Sequence, residues 1–318
     1  MSAQTPGEAV PHRAVPYEGV LIIGFGGPTC REEIRPFLDN VLRGRPVPKE
    51  RYEEVVRHYE HLGGRSPYNE LTMRQAQALR AELDRNGPRI PVFVGMRNSE
   101  PYLAGAIREM AARGVRRALG FIMSAYRSEP SWDRYQQNVR DAREQAGGAA
   151  PEIDYPGPWH THPLFIQAAT ARVSEALGRL DAHSHPHVHL IFTAHSIPVA
   201  MAEQARYVEQ ITESARLVAR AAGVQFWTLA FQSRSGNPRE AWLEPDIGDA
   251  IRKLGAGRTA IVVPIGFVCD HVEVLYDLDV EAARIAREAG VWMVRAPTVG
   301  DHPRFIKMIA SIVRGERL

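Results

Sequence analysis

Ile261-Val262-Val263-Pro264-Ile265-Gly266-Phe267-Val268, followed by Asp270-His271-Val272-Glu273-Val274-Leu275-Tyr276-Asp277, is the most informative stretch of this chain. An apolar run that leads into a carboxylate-rich segment predicts a buried strand followed by a helix, as in an open α/β sheet. Such sheets place their chemistry beyond the carboxyl ends of their strands.

On that helix, Glu273, Asp277 and Glu281 recur every four residues and therefore share one face. Like charges at this spacing repel each other by about 0.2–0.5 kcal/mol per pair, so the pattern favours a nearby cation. The alternative is a solvated acidic face.

A second segment of the same design is His189-Leu190-Ile191-Phe192-Thr193-Ala194-His195-Ser196-Ile197-Pro198. It predicts a strand that delivers His195 into the loop after it. Imidazole and carboxylate are common ligands for divalent first-row metals, and imidazole also moves protons near neutral pH. A structural histidine is the alternative for His195 alone, but the two segments together predict that His195 and Glu273 form a facing pair.

Apolar strands alternate with amphipathic stretches along the whole chain, which predicts parallel sheets covered by helices on both faces. The predicted strands are Val20–Gly24, Val92–Gly95, Ala118–Met123, His189–Thr193, Phe226–Ala230, Thr259–Ile265 and Val291–Val294. The predicted helices include Glu70–Asn86, Tyr102–Arg113, Arg134–Gln145, Leu164–Leu180, Ala205–Ala222 and Glu281–Gly290.

The strand-and-loop pattern of the first half recurs in the second. It predicts an α/β fold of two pseudo-symmetric, Rossmann-like halves, residues 18–155 and 156–318, each with a central parallel sheet flanked by helices. The active-site cleft is expected between the two halves, beyond the carboxyl ends of their strands.

Composition limits the classes of function. The net charge of +2 with 24% charged residues argues against a nucleic-acid carrier. The two cysteines, Cys30 and Cys269, imply no disulfide framework and exclude a four-cysteine iron–sulfur site within the chain. Residues 1–17 lack the features of a signal peptide and are predicted to be a flexible leader. With so few cysteines a reduced, cytoplasmic setting is expected. No apolar run reaches the roughly 20 residues of a membrane span.

The motifs together resemble the ferrochelatase family, whose members insert ferrous iron into a porphyrin in haem synthesis. They are Phe25-Gly26-Gly27-Pro28, Arg43-Gly44-Arg45, His58-Tyr59, Gly63-Gly64-Arg65-Ser66-Pro67, Gly95-Met96-Arg97, Ala194-His195-Ser196-Ile197-Pro198, Phe231-Gln232-Ser233, Trp242-Leu243 and Pro264 through Asp277. The resemblance runs from about Val20 to about Val313, and it implies a class II chelatase-like fold and lyase activity.

The resemblance also implies roles for the matched residues. His195 would take pyrrole protons or present the iron, while Glu273 would hold iron or relay protons outward. Asp277 and Glu281 match an acidic row on a helix widened by a π-bulge, which would serve metal entry or proton exit.

Contacts with the porphyrin are expected at the ring edge. Tyr59, Ser66 and Tyr135 match positions near the porphyrin in bacterial relatives. Arg43 and Arg45 are candidates for pairing with propionates, and solvated loop charges are the alternative.

An axial contact is expected on the ring face opposite the histidine. Phe25 stands where many bacterial relatives carry a tyrosine that can coordinate iron from that face. Tyr126 could supply the phenol instead, or it could be packed at a strand end with its hydroxyl bonded locally.

Departures from the family pattern limit which form of the enzyme, and which porphyrin substrate, is expected. Leu42 replaces a further arginine of some relatives, and both the cluster cysteines and a long C-terminal extension are absent. We therefore expect a soluble bacterial form with ferrous iron as substrate, no permanently bound cofactor and no iron–sulfur cluster, in which coproporphyrin III is favoured over protoporphyrin IX. A monomer without nucleic-acid partners or an integral membrane segment is expected.

Two other classes stay open. A cobalt or nickel chelatase would share the architecture, but the acidic row favours iron insertion. A non-catalytic haem- or porphyrin-binding protein would not require both His195 and Glu273.

Two histidine groups outside these motifs could also suggest metal binding. The tract His183-Ser184-His185-Pro186-His187-Val188-His189 alternates histidines, but Pro186 interrupts it, so a solvated linker is favoured. His160 and His162, beside Trp159, are interpreted as structural or surface residues.

Overall fold

The computed structural model describes residues 17–180, 187–235 and 239–316. The predicted leader, except Tyr17, and the histidines at positions 183 and 185 lie outside the described residues.

Within these ranges the chain forms two parallel sheets with the same strand order. The strands are β1 Gly19–Gly24, β2 Val92–Met96, β3 Arg117–Ile122, β4 Glu152–Asp154, β5 Val188–His195, β6 Phe226–Gln232, β7 Thr259–Val263 and β8 Trp292–Arg295. The first sheet has the order β2-β1-β3-β4 and the second β6-β5-β7-β8, with all neighbours parallel. The predicted α/β fold with two similar sheets is confirmed.

The helices cover both sheets. They are α1 Ile34–Leu42, α2 Lys49–His61, α3 Tyr68–Asn86, α4 Leu103–Ala112, α5 Arg134–Ala146, α6 Pro163–Leu177, α7 Val199–Gln204, α8 Tyr207–Ala221, α9 Ile247–Leu254, α10 Val272–Tyr276, α11 Ala283–Glu288 and α12 Pro303–Arg314. A 3₁₀ turn at Arg31–Glu33 precedes α1. Two π-helical segments, Glu129–Asp133 and Asp277–Ala282, lead into α5 and α11. The second of them agrees with the widened helix that the resemblance implied.

All seven predicted strands are present, with ends that differ by at most two residues. Strand β7 ends at Val263 rather than Ile265, since Pro264 has no N–H group to donate to a neighbouring strand. Strand β4 was not predicted because its three residues are partly or fully exposed and show no apolar pattern. The predicted boundary between residues 155 and 156 falls between β4 and α6.

Strand order explains how distant segments meet. Strands β5 and β7 are parallel neighbours, so their carboxyl ends lie at the same edge of the sheet and His195 comes close to the loop before α10. That loop packs tightly on β5. A Cβ atom at Gly266 would lie 2.6 Å from Ala194 Cα, so glycine is required for the approach.

The two halves pack directly against each other. Helix α12 of the second half contacts α3 of the first. From α3, Gln75 Nε2 donates to Val268 O and Gly300 O at 3.0 and 2.9 Å, and Arg74 pairs with Asp301 at 2.8 Å. The loop that carries the acidic segment is thereby fixed from both halves. Among the described residues, no helix is long and apolar enough to cross a membrane.

Candidate functional site

A cavity of about 530 Å³ opens between the carboxyl ends of the two sheets. This volume lies within the roughly 300–1,000 Å³ of small-molecule sites. Loops and helices of both halves line it. The residues assigned from sequence that line it are Phe25, Arg45, Tyr59, Ser66, His195 and Glu273.

His195 and Glu273 face each other across the second sheet's edge. His195 Nε2 lies 3.6 Å from Glu273 Oε1, and the other ring nitrogen, Nδ1, donates to Ser196 O at 2.6 Å. Because this bond keeps the Nδ1 proton in place, Nε2 is the nitrogen that gains and loses a proton.

The pair favours its charged state. Burial alone would lower the pKa of His195, but the charge of Glu273 outweighs it and raises that pKa. Burial would likewise raise the pKa of Glu273, but attraction to His195 lowers it well below its usual range. The two groups therefore stabilise each other's charged forms.

The backbone of Glu273 is held by two side chains that the sequence did not single out. His271 caps α10, since its Nδ1 accepts a hydrogen bond from Glu273 N–H at 3.1 Å, and Gln232 Nε2 donates to Glu273 O at 2.5 Å. Burial lowers the pKa of His271, which favours the neutral ring. His271 also lines the cavity, and its position just before Glu273 in the quoted acidic segment was the signal that could have identified it.

Asp277 and Glu281 continue from Glu273 along the helix and lie outside the cavity lining formed by the described residues. Ser233 Oγ donates to the Asp277 carboxylate. Burial raises the pKa of Asp277 to about 7, with further contributions from Glu273 and Glu281. The carboxyl of Asp277 therefore gains and loses a proton near neutral pH. Burial also raises the pKa of Glu281, which is exposed at the outer end of the row.

Arginines from the first half gather at the cavity mouth. Arg45, Arg97 and Arg134 line it, while Arg43 lies beside them. Burial and then the charge of Arg97 lower the pKa of Arg43, with smaller effects of Arg134 and Arg45. The sequence did not assign Arg97 or Arg134, although Arg97 stands in a quoted motif.

Arg97 is pre-positioned by its neighbours. Its Nε donates to Asn138 Oδ1 at 2.7 Å, and its guanidinium carbon lies 4.4 Å from the centre of the Tyr135 ring. Tyr135 is buried behind Arg97 and does not itself line the cavity. Arg134 pairs with Glu129 at 2.8 Å.

The aromatic and hydroxyl side chains of the first half build one cavity wall. Phe25 packs edge-on against Phe37, which packs edge-on against Tyr59. Ser66 accepts a hydrogen bond from Tyr68 N–H at 3.3 Å.

Tyr126 departs from its expected place. Its side chain is 1% exposed, lies outside the cavity lining and packs near His160 and Tyr207. Burial raises the pKa of its hydroxyl, and the neighbouring Ser214 side chain opposes that rise. In this placement the phenol does not line the cavity formed by the described residues, as the packing alternative predicts.

The remaining histidines are held by local contacts. His160 Nε2 lies 2.9 Å from Glu213, His162 Nδ1 accepts from Leu164 N–H at the start of α6, and His189 contacts Thr228 at 3.3 Å. In the described part of the chain, no group of three or more His, Cys, Asp or Glu side chains is arranged to hold a metal ion.

Comparisons with known proteins agree with this geometry. The family model described as Ferrochelatase matches residues 17–317. A protein of Rhodopirellula baltica named Ferrochelatase is 44% identical over 306 residues, which cover 95% of this chain and 87% of that protein. A protein of Mycolicibacterium smegmatis named Coproporphyrin III ferrochelatase is 41% identical over 302 residues, which cover 93% of this chain and 89% of that protein.

A solved structure shows the same fold. A multi-domain protein of Deinococcus radiodurans, described as similar in structure to chelatases, superimposes with a TM-score of 0.58 at 15% identity over 94% of this chain. The chain spans 55% of that longer protein. The family model and the two sequence relatives, each matched over nearly the whole chain, place this protein in the ferrochelatase family.

Proposed function

We propose that this protein inserts ferrous iron into coproporphyrin III in haem biosynthesis, with release of two protons. The facing pair of His195 and Glu273 at the cavity wall carries the proposal. Metal insertion needs a base beside the ring centre and ligands that release the metal again. One imidazole and one carboxylate meet both needs, whereas a closed thiolate site would retain the metal.

His195 acts at Nε2. Its Nδ1–H is committed to Ser196 O, so after losing the Nε2 proton the ring presents a lone pair towards the cavity. The raised pKa of His195 favours uptake of a pyrrole proton by this nitrogen. The approaching dication then repels the imidazolium, which drives the proton towards Glu273.

The acidic row leads protons away and the metal inward. Asp277, with a pKa of about 7, accepts and releases protons near neutral pH, and Glu281 lies at the exposed end of the row. Asp277 and Glu281 lie on the π-helical segment, and single-turn π-bulges are frequent at functional sites. Iron enters as substrate along the same carboxylates.

Three lining arginines favour coproporphyrin III over protoporphyrin IX. Coproporphyrin III carries four propionates, whereas protoporphyrin IX carries two. Arg45 and Arg97 form no ion pair with any carboxylate among the described residues, so both guanidiniums are available for propionates. The name of the Mycolicibacterium smegmatis relative also supports coproporphyrin III for this chain.

The test is anaerobic turnover of ferrous iron with coproporphyrin III and protoporphyrin IX in parallel, followed by loss of porphyrin fluorescence. We expect faster turnover of coproporphyrin III. Equal or faster turnover of protoporphyrin IX would assign that porphyrin instead. Turnover with cobalt or nickel but not iron would identify another chelatase, and binding without any turnover would identify a porphyrin-binding protein.

Arg45→Gln tests the arginine assignment. The Arg45 guanidinium donates to Val41 O and Leu42 O at the end of α1, so the substitution should leave the fold intact. A hydrogen bond between charged groups contributes about 1.5–3 kcal/mol, so KM for coproporphyrin III should rise roughly 10-fold or more. Arg113→Gln, which removes an exposed pair with Glu109 on α4, is the control and should change nothing.

A further inference from the structure

One arginine from another strand holds the segment that carries the acidic row. Arg295 ends β8, and its side chain is only 14% exposed. Its Nε and Nη2 donate to the two carboxylate oxygens of Asp279 at 2.6 and 2.9 Å. Its Nη1 and Nη2 also donate to the two oxygens of Asp270 at 3.4 and 3.3 Å. Thr298 Oγ1 adds a further hydrogen bond to Asp270 at 3.0 Å.

The two aspartates lie on either side of the proposed machinery. Asp270 precedes Glu273 in the loop that leads into α10, and Asp279 follows Asp277 inside the π-helical segment. The Arg295 guanidinium therefore connects the loop before α10, through Asp270, to the π-helical segment, through Asp279. The planar fork of arginine suits such a double contact, and a lysine ammonium offers no equivalent geometry.

A π-helical turn requires support from its surroundings because it is rarer than the α-helical turn. Reverting to α-helix would remove one residue from the turn and rotate the residues beyond it by roughly 100°. Leu278 and Ala282 anchor the buried side of the segment in an apolar cluster. On the exposed side of the segment, the ion pair between Arg295 and Asp279 holds it in place.

We propose that Arg295 is a positioning residue, whose fork keeps the π-helical turn in the register that lines up Glu273, Asp277 and Glu281. Arg295 does not line the cavity, so it acts through Asp270 and Asp279 rather than on the substrate. This inference rests on the proposed function, in which these three acids conduct protons and iron.

The experiment compares Arg295→Lys, Asp279→Asn and the double variant with the wild type. Arg295→Lys keeps the charge and removes the fork, while Asp279→Asn keeps the shape and removes one carboxylate. The control, Arg252→Gln, breaks an exposed pair with Asp249 on α9 of the same half. Steady-state rates, porphyrin binding by fluorescence, and amide hydrogen exchange of the peptide that holds Asp277–Ala282 are measured for each.

We expect kcat to fall roughly 10- to 100-fold in both single variants, as when a supporting contact of a metal-handling residue is lost. Porphyrin affinity should not change. The double variant should be no slower than the slower single variant, because both changes remove the same contact. Exchange in the π-helical segment should be faster in all three variants and unchanged in Arg252→Gln.

Wild-type kcat in Arg295→Lys or Asp279→Asn, or unchanged exchange in the π-helical segment, would overturn the inference. Rates that recover fully when the variants are assayed at a temperature where they are completely folded would show a purely structural role, which also overturns it. Absence of turnover in the wild type would count against the proposed function alone. In that case the exchange measurement would still decide whether Arg295 holds the segment.

Discussion

Replacing Ser233 with alanine is expected to move the acid limb of the pH–rate profile to higher pH. Ser233 Oγ donates to the Asp277 carboxylate, and this bond favours the charged form. Burial first, and then Glu273 and Glu281, raise the pKa of Asp277 to about 7, while the Ser233 bond and the charge of His195 oppose the rise. Removing the hydroxyl therefore raises the pKa further.

The size of the shift follows from the bond that is lost. A hydrogen bond to a charged group contributes about 1.5–3 kcal/mol, and one pKa unit corresponds to about 1.4 kcal/mol. Because Asp277 is only partly buried and water replaces part of the bond, we expect a shift of about one unit. Only the carboxylate form accepts a proton, so near pH 7 the wild type should work at about half of its maximal rate and Ser233→Ala at roughly a tenth.

The assay is the initial rate of anaerobic iron insertion, measured by loss of porphyrin fluorescence across the pH range in which the protein stays folded. Ser233 lies at φ 63°, and alanine keeps the Cβ atom, so the backbone strain is unchanged by the substitution. Ser174→Ala is the control, since Ser174 Oγ bonds only to Thr170 O within α6. An acid limb that stays at the wild-type pH in Ser233→Ala would refute the assignment of Asp277 as proton acceptor, and so would a uniform rate loss without a shift.

Three further substitutions test the site. His195→Ala should lower insertion by about 10²–10⁴-fold, while a fluorescence titration still shows porphyrin binding, because the cavity walls provide most of the affinity; retained turnover would contradict the mechanism. Glu273→Gln keeps the volume and removes the charge, so we expect a loss of kcat of about 100-fold or more, and an unchanged kcat would place the proton path elsewhere. Tyr126→Phe should leave the visible spectrum of bound product unchanged, since the phenol lies outside the cavity lining formed by the described residues; a changed spectrum would return the phenol to the metal.

The sequence was sufficient to predict the fold class and the central pair. Apolar runs that end in His195 and in the segment before Glu273 identify strands whose carboxyl ends carry polar side chains. What the sequence could not supply is that β5 and β7 are neighbours, since strand order depends on packing between distant segments. That order brings Nε2 and Oε1 to 3.6 Å.

The sequence could not predict that Arg97 and Arg134 line the cavity, nor that the short helices α7 and α10 form, and each failure has a physical reason. Helix α5 was predicted, but nothing in its periodicity shows that Arg134 at its start points to the cavity rather than to solvent. Arg97 is oriented by Asn138 and the Tyr135 ring, which are contacts across 38 to 41 residues of sequence. Helices α7 and α10 have six and five residues, too few for a helical period to appear.

The repeated topology explains how the two halves divide the chemistry. In both halves a π-helical segment follows the third strand of the sheet, at Glu129–Asp133 and at Asp277–Ala282. The first leads into Arg134 at the cavity mouth, and the second carries Asp277 behind Glu273. The first half thus contributes net positive charge to the cavity, since its Glu129 is paired with Arg134, and the second half contributes the carboxylate of Glu273. We therefore expect an anionic porphyrin edge to be drawn towards the first half, while the second half handles the dication and two protons. This division would keep the substrate carboxylates from competing with Glu273 for the iron.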